Sequence, residues 1–154
     1  MRQPHDKAPF AEDEFPLQAL TGTIIASAFH VFQEFGYGFR ESVYKRALAV
    51  ELTHRGVRVD EEVPYDLFHR GVLIGRYRAD TVAELRVIVE TKTGPLPDPE
   101  APGQLLNYLC AAKIGLGLVV YFSPRGVKVK RVIATDPGAA ARGRRMRRRR
   151  GIDT

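Results

Sequence analysis

The fold is decided by the stretch VLIGRYRADTVAELRVIVETK, residues 72–92. Its first part continues an alternation of apolar and polar residues, and its second part, 85–92, is an apolar run that ends in a charged triplet. A short break at Ala83 and Glu84 lies between the two parts. An alternating segment and an apolar segment on either side of a short break predict two antiparallel strands.

The residues before this stretch add another strand and two helices. Charged residues alternate with the set Val57, Val59, Glu61 and Val63, and Pro64 with the turn at 69–71 separates this segment from the next strand. The three strands therefore form an antiparallel meander. Further upstream, apolar residues at helical spacing predict a first helix over 17–35 and a second over 40–54.

The residues after this stretch complete the fold. A segment with four prolines, 94–102, ends the third strand, and a stripe of apolar residues predicts a third helix over 103–113. The continuous apolar run 116–122 is typical of a strand buried on both faces, and a last strand follows over 127–134. The order predicts one α/β domain, an α+β sandwich in which helices flank a mixed sheet of about five strands.

The composition divides the chain of 154 residues into three parts: a flexible leader at 1–15, one domain at 16–135 and a disordered arginine-rich tail at 136–154. Seven arginines and two aspartates lie in the tail, so it carries five of the six net positive charges. Basicity therefore concerns the tail and not the domain. A tail of this kind either binds nucleic acid or is a solvated extension. Its candidate contacts with nucleic acid are Arg144, Arg145, Arg147 and Arg148.

Several classes of protein are excluded by what the sequence lacks. Cys110 is the only cysteine, so one chain cannot form a disulfide or a CxxC site. No run approaches the ~18 to 20 apolar residues of a membrane span, and the N-terminal residues contain no signal peptide. These features predict a soluble cytoplasmic protein without a membrane partner, and they leave the oligomeric state undetermined.

Three charged residues in the fold-deciding stretch form the candidate site. Glu90 and Lys92 lie on the same face of the third strand, and pairing with the preceding strand would bring Asp80 close to Glu90. Two carboxylates in one small site, supplemented by a backbone carbonyl and waters, favour Mg²⁺ or Mn²⁺. The alternative is an ordinary ion pair on a solvated strand. Glu90 ends an apolar run, however, where an unpartnered charge would be costly.

The sequence also resembles the GxxExxY proteins of the PD-(D/E)XK nuclease-like superfamily. The name-giving motif is GFRESVY at 38–44, and the resemblance extends over roughly 17–134. Further matching pieces are Arg78-Ala-Asp80, Glu90-Thr-Lys92, Gln104-Leu-Leu-Asn-Tyr108 and Val129-Lys-Arg-Val-Ile133. The chain departs from the superfamily pattern at Ala79, where a proline usually precedes the acidic residue.

The resemblance implies a role for each matching residue. Asp80 and Glu90, with Thr91 and Glu41, would hold Mg²⁺ or Mn²⁺, and Lys92 would be the catalytic lysine. Gln104 would approach the metal or a substrate phosphate. Without the resemblance, Glu41 reads equally as a favourable charge in the first turn of a helix, and Gln104 with Tyr108 reads as helix-surface packing.

The function implied is a metal-dependent nuclease that hydrolyses phosphodiester bonds in DNA or RNA. The alternative is a catalytically idle domain that uses the same fold to bind nucleic acid or a protein partner.

Overall fold

A mixed five-stranded sheet forms the centre of the computed structural model, which describes residues 14–134. Its strands are β1 (Val59–His69), β2 (Val72–Ala83), β3 (Val87–Thr93), β4 (Leu116–Ser123) and β5 (Gly126–Ile133), and they lie side by side in chain order. Strands β1, β2 and β3 form an antiparallel meander, β3 and β4 are parallel, and β4 and β5 are antiparallel. The predicted α/β fold and the order of its elements are confirmed.

Three helices cover the sheet: α1 (Glu14–Phe35), α2 (Glu41–His54) and α3 (Ala101–Ala112). Helix α1 begins two residues inside the predicted leader 1–15, and residues 1–13 lie outside the described part of the chain. Helix α3 begins two residues earlier than predicted, because Pro102 occupies its first turn, where a missing backbone N–H costs nothing.

Strand β1 is longer than the sequence pattern indicates. Pro64, which the pattern marks as the end of the first strand, pairs with Arg78, and the strand continues to His69. A proline is tolerated there because β1 is the outer strand of the sheet and its free edge needs no N–H donor.

Buried side chains form two hydrophobic clusters, one on each face of the sheet. Helices α1 and α2 pack on one face, with Ile24, Leu48 and Phe122 among the fully buried residues. Helix α3 packs on the other face through Leu105 and Leu109. Gly117 lets α3 approach β4 closely, because a Cβ there would lie 2.8 Å from the Leu105 side chain.

Strands β2 and β3 are paired only at one end. Their register covers Thr81 to Ala83 against Val87 to Val89, and the rest of β2 pairs with β1 alone. Glu62, which faces Asp80 across β1 and β2, lies outside the regular register and has a φ of 53°. Backbone irregularities of this kind commonly re-aim side chains next to functional sites.

Within residues 14–134, no helix has both the length and the hydropathy that crossing a membrane requires.

Candidate active site

Asp80 and Glu90 meet where β2 and β3 separate. The backbone N–H of Asp80 donates to Glu90 Oε1 at 3.3 Å, and the backbone N–H of Thr91 donates to Asp80 Oδ2 at 3.1 Å. Each carboxylate thus replaces the backbone acceptor that the opposite strand would otherwise provide. The proximity expected from strand pairing is confirmed, while the roles of both residues stay predictions.

Glu90 is the more buried of the two carboxyl groups, with 7% of the residue exposed. Burial and the neighbouring Asp80 raise its pKa from 4.5 to about 8, and Lys92 opposes this rise only weakly. A buried carboxyl with a raised pKa and an acidic neighbour is typical of functional sites. An added cation would favour the charged form of Glu90.

Lys92 lies two residues further along β3, on the face of Glu90 that α3 covers. It is partly exposed, and it lowers the pKa of both Glu90 and Glu41 through its charge. Its register partner on β4 is Tyr121. The lysine therefore borders the carboxylates, and among the described residues its ammonium forms no ion pair with an acidic side chain.

Glu41 approaches the same place from the first turn of α2. Burial raises its pKa most, Asp80 and Asp98 raise it further, and Lys92 and Lys45 oppose the rise. Because the charges of Asp80 and Lys92 act on its pKa, Glu41 lies near the carboxylate pair. Its side chain is nevertheless exposed.

The rest of the GxxExxY motif serves to hold α2 in place. Gly38 has a φ of 125°, which residues with a Cβ rarely adopt. Tyr44 is fully buried and stacks on Phe122, with ring centroids 4.5 Å apart. Its hydroxyl donates to the Gly36 carbonyl at 2.5 Å and accepts from the Phe39 N–H at 3.3 Å. The tyrosine thus anchors the loop that leads to Glu41.

Sequence reasoning missed Lys45. Its ammonium contacts Asp80 Oδ1 at 3.4 Å and forms a short ion pair with Glu62. Both acids lie on the sheet, so the lysine ties α2 to the region of irregular register between β1 and β2. The signal was available, because Lys45 follows Glu41 by four residues and so shares its helix face.

Helix α3 contributes Tyr108 more clearly than Gln104. Burial, followed by the charges of Glu90 and Asp80, raises the pKa of Tyr108, and its ring lies 5.2 Å from that of Tyr77. Gln104 is exposed, and among the described residues no hydrogen bond joins its side chain to the carboxylates. The predicted role of Gln104 therefore has no contact in its support, whereas Tyr108 on the same helix face lies near the pair.

The donor set fits a small, hard divalent cation. Two carboxylates share the site, and burial together with the neighbouring Asp80 carboxylate raises the pKa of Glu90, a cost that a bound cation would relieve. Within residues 14–134 no three His, Cys, Asp or Glu side chains are grouped closely enough to hold a metal by themselves. The remaining ligands would have to be backbone oxygens and water. Thr91 could offer only its carbonyl, since its buried hydroxyl shares the opposite face with Val89.

The arginines at 144, 145, 147 and 148 lie outside the described residues, so their predicted contacts with nucleic acid stay predictions.

Comparison with known proteins identifies the superfamily to which this chain belongs. The family model of the PD-(D/E)XK nuclease superfamily matches residues 18–132, and the chain belongs to that superfamily. The narrower resemblance to GxxExxY proteins stays a prediction. No curated protein matches the chain in sequence.

Among solved structures, the fold is similar to the crystal structure of SSO0001, with a TM-score of 0.51 and 21% sequence identity. The match covers 60% of this chain and 48% of that chain, so it spans about half the length of the solved protein. At this identity the likeness concerns the fold alone.

Proposed function

We propose that the chain is a divalent-metal-dependent phosphodiesterase of the GxxExxY group that cleaves DNA or RNA. The observation that carries the proposal is a pair of contacts where β2 and β3 separate: Glu90 accepts from the Asp80 N–H, and Asp80 accepts from the Thr91 N–H. Lys92 lies on the same strand as Glu90. Two carboxylates and a lysine at the open end of a strand pair suit hydrolysis of a phosphodiester. Membership of the nuclease superfamily supports the same reaction class.

The chain's own residues have separate tasks in this proposal. Asp80 and Glu90, with the Thr91 carbonyl, would hold Mg²⁺ or Mn²⁺, which when bound lowers the pKa of water and polarises the phosphate. Lys92 orients the attacking water, helps to deprotonate it or offsets the charge that develops at phosphorus. Glu41 adds a further acidic contact, and Gln104 approaches a substrate phosphate.

Metal binding and cleavage are tested separately. Because a ligand that binds only the folded state stabilises it, millimolar Mn²⁺ or Mg²⁺ should raise the melting temperature of the wild type. Asp80→Ala and Glu90→Ala should remove this shift, and Glu34→Ala, an exposed carboxylate on α1, is the matched control. The same proteins are then incubated with single- and double-stranded DNA and RNA, with metal or with EDTA. A wild type indifferent to both metals would contradict the proposal.

One contact favours the alternative, a catalytically idle domain that binds nucleic acid or a protein. Lys45 already offers Asp80 a positive charge at 3.4 Å, as an internal substitute for a metal would. The two functions differ in one outcome. An idle domain binds its partner equally well in metal and in EDTA, and it cleaves none of the four substrates.

A further inference from the structure

The outer part of the β1–β2 hairpin projects beyond the rest of the sheet. We call residues 63–79 the distal ribbon. Strand β3 pairs with β2 only from Thr81 to Ala83, so the distal ribbon is held in the sheet by its own two strands. Its turn contains Arg70 at a φ of 48° and Gly71 at 77°. The ribbon thus forms an arm next to the candidate active site.

The tip of this arm is apolar and exposed. Four large hydrophobic side chains surround the turn, and 47% to 64% of each is accessible to solvent: Phe68, Val72, Leu73 and Ile74. Phe68 and Leu73 are register partners and share one face of the ribbon, whereas Val72 lies on the other face. Exposed apolar side chains gathered at one tip mark a contact with another molecule.

The charges along the ribbon indicate what that molecule is. Arg76 is paired with Asp66 through two hydrogen bonds of 2.6 and 3.2 Å. Arg70 and Arg78 are exposed and form no ion pair within residues 14–134. Arg70 lies at the apolar tip and Arg78 two residues before Asp80, and two arginines without acidic partners along one ribbon complement the phosphates of a nucleic acid.

A row of tyrosines connects the ribbon with the carboxylates. Tyr65 and Tyr77 are register partners on the face that α3 covers, and Tyr77 contacts the ring of Tyr108 at 5.2 Å. Tyr108 in turn lies in the electrostatic reach of Glu90. Aromatic rings in sequence are the usual platform for unpaired bases.

The length of the ribbon sets the distance between the tip and the site. Ile74 precedes Asp80 by six residues on one strand, which at ~3.3 Å per residue corresponds to about 20 Å. The tip is therefore close enough to contact the same nucleic-acid molecule as the carboxylates, and too far away to take part in the reaction.

We propose that the distal ribbon is a wedge for forked nucleic acid, a duplex with an unpaired arm. The apolar tip enters the junction at which the strands separate, and the unpaired bases follow the tyrosine row toward Asp80 and Glu90. Arg70 contacts the phosphates beside the junction, and Arg78 contacts those of the unpaired arm closer to Asp80. The direction of the unpaired strand rests on the proposed function, whereas recognition of the fork does not require cleavage.

The test compares binding to a forked and a blunt duplex of the same sequence, by fluorescence anisotropy in EDTA with the full chain. Wild type should bind the fork more tightly. The double variant Phe68→Thr with Ile74→Thr should lose about tenfold or more in affinity for the fork, the scale of a lost stacking contact, and keep its affinity for the blunt duplex. The matched control is Val50→Thr with Ile133→Thr, which removes similarly exposed apolar groups from α2 and β5.

A second pair of substitutions covers the case in which the apolar variant does not fold. Arg70→Gln with Arg78→Gln should reduce the slope of log K for fork binding against log salt concentration by about 1.4. Each phosphate contact to a single strand contributes roughly 0.7 to that slope. Arg131→Gln, an exposed arginine on β5, should leave the slope almost unchanged.

Three outcomes would overturn the wedge: equal affinity of the wild type for fork and blunt duplex, tip variants that keep the preference, or tip variants that only change a dimer to a monomer in sedimentation. The last result would assign the tip to self-association. Any of these three outcomes together with metal-dependent cleavage would reject the wedge alone. Tip-dependent fork binding without any cleavage would support the wedge and reject the proposed function.

Discussion

The two ends of the β2–β3 pair are only a few residues apart, but one end is apolar and regularly paired and the other is charged and unpaired. At the closed end, Val82 and Ala83 face Val87 and Ile88 in regular register, and all are fully buried. At the open end, the carboxylates of Asp80 and Glu90 accept the backbone N–H groups that lack a strand partner. The closed end thus supplies stability. The open end concentrates charge in a place where it is costly unless it has a function.

The largest effect on stability should come from the closed end. Ile88→Ala removes a fully buried side chain from the cluster under α3 and should cost roughly 2–5 kcal/mol in the free energy of unfolding. Urea unfolding in EDTA measures this loss. Glu90→Gln, two residues away, should leave the unfolding free energy unchanged or increased at pH 8. If Glu90→Gln lost as much stability as Ile88→Ala, the closed and open ends would not differ in their contribution to stability.

The largest effect on activity should come from the open end. Lys92→Ala should reduce the cleavage rate by about 10²-fold or more, the scale of a positioned electrostatic or proton-transfer group. Metal binding should persist, because the substitution removes a positive charge beside the carboxylates. Lys92→Arg should not restore the rate, since a guanidinium stays protonated and differs in shape. Lys130→Ala on β5 is the control, and an equally slow wild type would contradict the proposed enzyme.

Substitution of Tyr44 should have smaller effects, on stability and on the cleavage rate together. Tyr44→Phe keeps the stacking on Phe122 and removes the hydroxyl that holds the loop before α2. We expect a loss of about 1–2 kcal/mol in unfolding free energy, because backbone groups of the loop lose a buried partner. The cleavage rate should also fall, since the loop positions Glu41. Unchanged stability would mean that water replaces the hydroxyl.

The smallest effect, counted per pH unit, should be the change in unfolding free energy as Glu90 titrates in the absence of metal. Its pKa is about 8 in the folded protein and near 4.5 in the unfolded chain, so the folded state holds an extra proton between these values. Unfolding free energy should therefore be highest below about pH 4.5 as far as this group is concerned, and should fall as the pH rises through the folded pKa, by at most ~1.4 kcal/mol per unit. Comparison with Glu90→Gln isolates the contribution. Millimolar Mg²⁺ should flatten the slope, and identical slopes in both proteins would contradict the raised pKa.

Much of the fold could be read from the sequence because its signals are local. The helical spacing of the apolar residues and the alternation over β1 and β2 depend only on the backbone geometry of each element. Proximity of Asp80 and Glu90 was also predictable, since a short turn leaves few registers for two neighbouring strands. The continuation of β1 through Pro64 was not, because a proline is acceptable only on an edge strand, and the position of a strand in the sheet is not a local property.

The sequence by itself determined the order of the elements, the pair of carboxylates and the lysine beside them. The tertiary structure alone decided which helical residues reach that pair. Lys45 and Tyr108 approach it from α2 and α3, while Gln104 stays exposed on the same helix as Tyr108. The physical reason is that the rotation and depth of a helix on a sheet follow from packing over the whole face. The fit of Leu105 against Gly117 is one such contact, and no periodicity in the sequence encodes it.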